Sequence, residues 1–329
     1  MRHLAVILAV LTLAASAAAV AAEAGAQITV ALLPKKKGVA YFTSCAAGAE
    51  QAAKELGNVT LIYDGPTDGS PEKAAALIEK WTLKGVDVIA VSPNDPEVLA
   101  PAMQAAMAKG VKVITWDADG AASSRSFFVN QATGTQIGEA MVDAMAKDLG
   151  TPAGKVAIVT ATLTAANQNA WIAAMKAHLA SAYPKMELVA IKPCNEDQKV
   201  AFQVAQDLMK AYPDLVGIFG ISSVAFPGAA EAVKQAGRSG QVLVTGLATP
   251  NAMKGYVKDG TVKSVVLWNT RDLGYLTVRV ARALADGVLI PGATSFAAGS
   301  LGSKPVAGDA ILLNNLLVFT KANIDQFDF

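Results

Sequence analysis

Residues 86–117, VDVIAVSPNDPEVLAPAMQAAMAKGVKVITWD, hold one complete β–α–β unit. VDVIAVS (86–92) and VKVITWD (111–117) are short, nearly unbroken apolar runs rich in Val and Ile, the pattern of parallel strands buried on both faces. Between them, Asp95-Pro96 supplies an N-cap and a first-turn proline, an Ala- and Met-rich helix follows over 96–109, and Gly110 closes it. Two parallel strands need a crossover of this kind, so the unit commits this part of the chain to an α/β fold.

The scheme extends in both directions. Upstream lie ITVALL (28–33) and VTLIYD (59–64), with helices near 43–57 and 71–84 that end at Gly57 and Gly85. Downstream come KVAIVTA (155–161), MELVAI (186–191), LVGIFG (215–220), QVLVTG (241–246) and VKSVVLW (262–268), again separated by helical segments. Two successive sets of βα units predict two doubly wound, three-layer αβα lobes with parallel sheets, joined by a hinge. SFFVNQ (126–131) reads as a strand leaving the first lobe. After Trp268 a helix (271–286), a Gly/Pro/Ser-rich stretch (287–309) and the strand ILLNNLLVFT (311–320) complete the chain. The expected division is residues 26–129 with 269–312 for one lobe and 130–268 with 313–329 for the other.

The first 22 residues read as a cleaved secretory signal peptide. Arg2 precedes the apolar run Leu4 to Val10, and Ala19-Val20-Ala21 forms a small-residue cleavage pattern. An uncleaved anchor is the alternative, disfavoured because the Ala-rich second half is weakly hydrophobic for a spanning helix. The first cysteine, Cys45, is too far on to carry a lipid. Removing the leader takes away one charged residue, Arg2, and leaves 27 basic residues against 27 acidic ones. That balance offers nothing to nucleic acid or to an anionic membrane. Cys45 and Cys194, the only cysteines, fall in different lobes, so no disulfide is expected. With His3 and His178 the only histidines, neither a metal site nor a cofactor site is expected.

In an open parallel sheet a ligand lies beyond the carboxyl ends of the strands, where loops and helix N-termini converge. The first half of the chain offers Lys35, Tyr41 and Phe42, then Ser92, Asn94 and Asp95, then Trp116 and Asp117. The second half offers Asn167, Gln168 and Asn169, then Ser222 and Ser223, then Thr249, and finally Trp268 and Asn269. Carboxylates accept two hydroxyl hydrogens at once, amides both donate and accept, and flat rings cover C–H faces, a combination that suits a polyhydroxylated ligand. For each residue a plainer role competes: Trp116 and Phe42 as core aromatics, Ser222 and Asn169 as helix caps, Lys35 in a solvated Lys-Lys-Lys-Gly loop. No Gly-x-Ser-x-Gly elbow, phosphate loop or Gly-x-Gly-x-x-Gly is present, and His178 lies midway along a helix, so a binding protein is expected and not an enzyme.

ALLPKKKGVAYFTSCAAGAEQAAKELG, VITWDAD and the closing NIDQFDF resemble the type I periplasmic sugar-binding proteins of ATP-driven (ABC) importers, in the branch that includes autoinducer-2-binding and rhamnose-binding members. The likeness runs from about Ile28 to Phe329. It implies a periplasmic, monomeric protein whose lobes, joined by three crossing strands, close on a small sugar or polyol and present it to a membrane permease, with a chemoreceptor as another possible partner. In the autoinducer-2 relatives the resemblance assigns the ligand to a Lys, an Asp of the Trp-Asp motif, an Asp-Gln pair and a Pro-x-Ala stretch. Lys35, Asp117 and Gln168 match these. Asn167 stands in place of the Asp, and Ile221 and Ser223 in place of the Pro and Ala. An amide for a carboxylate removes a charged acceptor and adds donors. ANQNAW and LWNTRDLGY are instead similar to the rhamnose-binding members, which favours a rhamnose-like monosaccharide over autoinducer-2. A sugar-responsive repressor shares the fold but needs a helix-turn-helix where this chain has its leader.

Overall fold

A computed structural model describes residues 25–329. The expected signal peptide lies outside the described residues. The first lobe is built on an eight-stranded sheet ordered β2-β1-β3-β4-β5-β13-β12-β11. Its strands are β1 (Ile28–Leu33), β2 (Val59–Tyr63), β3 (Val88–Val91), β4 (Lys112–Trp116), β5 (Phe127–Asn130), β11 (Ser295–Ala297), β12 (Ser303–Ala307) and β13 (Ala310–Leu312). Pairing is parallel from β2 to β13 and antiparallel through β12 and β11.

The other lobe carries β6 (Gly154–Thr160), β7 (Met186–Pro193), β8 (Leu215–Gly220) and β9 (Leu243–Gly246) in the parallel order β7-β6-β8-β9. An antiparallel pair, β10 (Ser264–Trp268) and β14 (Leu316–Thr320), lies beside β9 and is joined to its end by a bridge between Leu247 and Val266.

Period-two alternation in buried strands gives each sheet two apolar faces, and helices cover both. In the first lobe α1 (Ala40–Leu56) packs along the last helix, α9 (Thr270–Ala285), on one face, while α2 (Pro71–Leu83) and α3 (Pro96–Ala108) cover the other. Ile78 and Trp81 of α2 and Leu99 and Met103 of α3 fill that second core against Leu33, Ile89, Val91 and Val113. In the second lobe α4 (Gly134–Leu149) pairs with α5 (Ala166–Ala182), and α6 (Gln198–Ala211) with α7 (Ala225–Gln235). The helix α8 (Pro250–Lys258) lies beside α7.

The local signals act as anticipated at several helix ends. The Ser70 hydroxyl accepts from Lys73 N, Asp95 accepts from the amides of Glu97 and Val98, and Gly57 closes α1 in a left-handed conformation. Thr133 and Gln136 form a reciprocal capping box at the start of α4. The α1–α9 contact depends on two glycines: a Cβ on Gly48 would collide with the Arg271 carbonyl oxygen, and one on Gly274 with that of Cys45. The two backbones therefore touch directly, and this seats the start of α1 close to the Trp268–Asn269 junction.

Two segments depart from expectation. The Gly/Pro/Ser-rich stretch 287–309, to which the sequence assigns no element, contains β11 and β12, whose short antiparallel pairing extends the edge of the large sheet. ILLNNLLVFT is two strands, not one. Asn314 adopts a left-handed φ of 52°, which breaks the run so that β13 pairs with β5 and β14 with β10 in the other lobe.

Candidate ligand-binding site

The carboxyl ends of β1 and β4 face those of β6, β7, β8 and β9 across a cleft that holds a cavity of about 410 Å³, its open mouth included. Ten of the candidate residues line it: Lys35, Tyr41, Phe42, Asp117, Asn167, Gln168, Ile221, Ser222, Ser223 and Trp268.

Asp117 is the hub. It follows β4 directly and has a φ of 63°, a left-handed conformation that Asp tolerates better than most residues because its short side chain can bond locally. Its Oδ1 accepts from Tyr41 Oη at 2.8 Å and its Oδ2 from Ser92 Oγ at 2.8 Å, with Lys35 Nζ 3.7 Å from Oδ2. The Asp117 carbonyl oxygen accepts from Gln131 Nε2 at 3.0 Å. Tyr41 in turn accepts from Trp268 Nε1 at 3.1 Å, and the two rings meet edge to face. Burial, reinforced by the Asp117 charge, raises the Tyr41 phenol well above its usual pKa, so it remains a donor to that carboxylate.

Across the cleft, Asn167 and Gln168 occupy the first turn of α5. Lys35 Nζ donates to Asn167 Oδ1 at 3.0 Å, a direct bond from one lobe to the other, and Oδ1 also accepts from Gln168 N at 2.9 Å. Gln168 Oε1 accepts from Thr160 Oγ1 at 2.5 Å and from Ala161 N at 2.8 Å, which fixes the amide to the end of β6. Ser222 Oγ accepts from Ala225 N and thereby helps to start α7, so it both caps a helix and borders the cavity. At least two bonds therefore orient each of Asp117, Asn167 and Gln168 before a ligand arrives.

Trp116 and Asn269 sit elsewhere. Trp116 alternates to the same face of β4 as Ile114, is fully buried against Phe42, and donates its Nε1 to the Ala90 carbonyl. It backs the site and does not line it, because the residue at the end of a strand turns to whichever face its pleat position dictates. Asn269 caps α9, its Oδ1 accepting from the amides of Arg271 and Asp272. Among the other polar residues after strands, Asn169 bonds the Leu163 carbonyl, Asp95 and Thr249 cap helices, and Asn94 bonds the Gly69 carbonyl. His178 pairs with Asp143 on the surface of α5. Cys45 and Cys194 are both buried and free.

Four lining residues were not anticipated: Trp171, Glu196, Leu247 and Leu267. Helical spacing carried the signal for Trp171, which lies one turn after Asn167 on the same face of α5 and meets Trp268 edge-on. Glu196 was missed because Lys192 and Pro193 make the strand seem to stop at Ile191. β7 is an edge strand, where Pro costs no ladder bond, so it runs on to Pro193 and delivers Glu196 to the cleft.

The model of the family described as "Periplasmic binding protein domain" matches residues 30–288. This chain belongs to the periplasmic binding protein family. Such a protein has the two-lobed α/β fold seen here. The ribose import binding protein RbsB of Salmonella typhimurium is 26% identical over 278 residues, covering 83% of this periplasmic binding protein and 90% of RbsB. LsrB from Clostridium saccharobutylicum, solved in complex with AI-2, matches with a TM-score of 0.88 at 28% identity, over 92% of this chain and all of that one (100%). An ABC transporter solute-binding protein from Clostridium phytofermentas, solved with bound L-rhamnose, gives 0.86 at 29% identity, over 91% and 98%. These relatives are solute-binding proteins and not enzymes. Among the described residues no helix is long and apolar enough to cross a membrane, and no cluster of three His, Cys, Asp or Glu side chains is arranged to hold a metal.

Proposed function

We propose that this periplasmic binding protein captures a small neutral sugar or polyol, a rhamnose-like monosaccharide, between its lobes and delivers it to the permease of an ABC importer. The observation that carries the reading is the cross-lobe constellation itself. Lys35, Asp117, Asn167 and Gln168 present oriented polar groups, while Phe42, Trp171 and Trp268 add aromatic surface to the same small cavity. Hydroxyls bond to the first set and C–H faces pack on the second. The bound L-rhamnose of one structural neighbour and the ribose in the name of RbsB support a sugar.

Autoinducer-2 is the second reading, favoured by the likeness to LsrB and by Lys35, Asp117 and Gln168. Against it stands Asn167, whose amide oxygen is already engaged by Lys35 and Gln168 N, so a charged acceptor is missing where those relatives have one. Both halves of the cavity come from one chain, which supports action as a monomer. The proposed lobes are residues 26–129 with 269–312 and 130–268 with 313–329. Sheet membership supports this division, since the chain leaves one set of sheets for the other after β5, after β10 and after β13. Family membership supports residence in the periplasm, as does the leader expected from the sequence of residues 1–22. A chemoreceptor or sensor remains a further partner for the loaded form.

A thermal-shift and calorimetric panel of L-rhamnose, D-ribose, D-allose, polyols and autoinducer-2 tests the reading, because a ligand that binds only the folded state raises the melting temperature. One saturable site per chain for a neutral sugar or polyol is expected. Silence across the sugars and polyols, or a response to autoinducer-2 alone, overturns it. Loss of uptake of that sugar on deleting the gene for this protein, with chemotaxis toward the sugar unchanged, distinguishes transport from a purely sensory role.

A further inference from the structure

Three charged side chains line the cavity: Lys35, Asp117 and Glu196. The first two are engaged within the protein, Lys35 with Asn167 and Asp117 with Tyr41, Ser92 and Lys35. The amide acceptors are engaged as well, since Asn167 Oδ1 receives two donors and Gln168 Oε1 two more. Glu196 differs. Among the described residues its carboxylate has no hydrogen-bond or ion-pair partner, and only its backbone carbonyl is held, by Lys36 Nζ reaching over from the other lobe at 2.9 Å.

The backbone turns this side chain into the cleft at a cost. Asn195 and Glu196 have φ of 54° and 53°, two successive side-chain-bearing residues in the left-handed region. Burial holds the Glu196 carboxyl above the ordinary carboxylate range, opposed by the nearby charges of Lys35 and Lys36. A strained turn that delivers a half-buried acceptor with no internal partner leaves hydrogen-bonding capacity for something else to fill.

We infer that Glu196 is a specificity-determining residue of the cavity, accepting hydroxyl hydrogens of the ligand and excluding ligands that bear an anionic group. This rests on the sugar reading above. The remaining capacity of Lys35, Asn167 and Gln168 is mainly as donors, suited to ligand oxygens, whereas Glu196 is the lining carboxylate with both oxygens open to ligand O–H groups. Two adjacent hydroxyls satisfy a carboxylate in a charge-assisted, bidentate manner. A carboxylate or phosphate on the ligand would instead meet Glu196 and Asp117 inside a cleft with one lysine lining it, where repulsion is poorly screened.

The test is calorimetry on the mature protein, Glu196→Gln and Glu196→Asp, with L-rhamnose, D-ribose and D-allose and with the corresponding aldonates, L-rhamnonate, D-ribonate and D-allonate. The wild type is expected to bind a neutral sugar and to reject its aldonate. Glu196→Gln should weaken the neutral sugar by roughly 10- to 100-fold, the loss of one hydrogen bond to a charged group, and narrow the preference over the aldonate. Glu196→Asp keeps the charge and should retain more affinity than Glu196→Gln, a ranking that a merely structural role would not produce. If Glu196→Gln binds the sugar within about threefold of wild type and still rejects the aldonate, the role of Glu196 is wrong while the sugar reading stands. If the wild type binds none of the neutral sugars, the sugar reading falls and this inference with it.

Discussion

Replacing Asp117 by Asn tests the hub of the site with little change of shape, because Asn tolerates the left-handed backbone at least as well as Asp. The carboxylate receives Tyr41 and Ser92, both at 2.8 Å, and faces Lys35 at 3.7 Å. An amide offers one neutral acceptor oxygen, so one of the two hydroxyls loses its charged acceptor outright and the other keeps only an uncharged one, which together costs about 1.5–3 kcal/mol. Lys35 also loses its counter-charge. Stripping one member from a buried pair costs about 3–5 kcal/mol when nothing replaces it. Here the pair is long and Lys35 keeps Asn167, so a total of about 2–4 kcal/mol is expected. For lobes of this size that lowers the melting temperature of the ligand-free protein by roughly 5–15 °C. Circular dichroism gives the melting temperature, and calorimetry with the sugar that binds wild type should show a fall in affinity of about 100-fold or more, the equivalent of two such bonds. A ligand-free variant melting within about 1 °C of wild type, with affinity unchanged, would refute the reasoning that Asp117 organises both the cleft and the ligand. Asp117→Ala should be worse still in stability, because Ala pays about 1 kcal/mol or more for the left-handed backbone.

Gly48→Ala and Gly274→Ala should each destabilise by about 3 kcal/mol or more, beyond the usual overpacking range of about 1–3, because the new methyl meets a backbone carbonyl of the partner helix and cannot be relieved by a rotamer change; denaturant unfolding measures it. Ligand should change the intrinsic fluorescence saturably through Trp268 and Trp171, which line the cavity. The change should survive Trp116→Phe and disappear when both lining tryptophans are replaced by Phe. Asp148, half-buried under β10 and bonded to Ser264, has its carboxyl pKa raised by burial. It thus binds its proton more tightly folded than unfolded, and stability falls as pH rises from the ordinary carboxylate value through the raised one. Asp148→Asn should therefore melt higher than wild type at neutral pH, with the gap closing as pH drops toward the ordinary value; a gap independent of pH contradicts this assignment.

The repeating apolar runs were legible because buried parallel strands tolerate little else, and the helix ends because Ser70, Asp95 and Gly57 act through their immediate neighbours. The rule that ligands sit beyond strand ends located most of the cavity lining for the same reason: it depends on chain direction alone. Where the rule failed, the deciding fact was not local. Trp116 and Asp117 are adjacent, yet one is buried behind the cleft and the other lines it, a choice made by the pleat of β4 and the left-handed turn at 117. Glu196 was hidden because the tolerance of Pro193 in a strand depends on β7 lying at an edge, a property of strand order that no window of sequence contains.

The sequence by itself determined the two α/β lobes and the absence of a catalytic motif, and it offered Asp117, Asn167 and Gln168 to the cleft by their position after strands, since periodicity, capping and position after a strand are encoded within a few residues; for Lys35, in its Lys-Lys-Lys-Gly loop, the family resemblance carried the expectation. Only the tertiary structure decided which acceptors are already engaged. Lys35 and Asn167 are 132 residues apart, and Tyr41 and Trp268 are 227 apart, yet each pair is hydrogen-bonded. Whether a polar group is free to meet a ligand depends on such partners. They come together only when the two lobes are folded and facing.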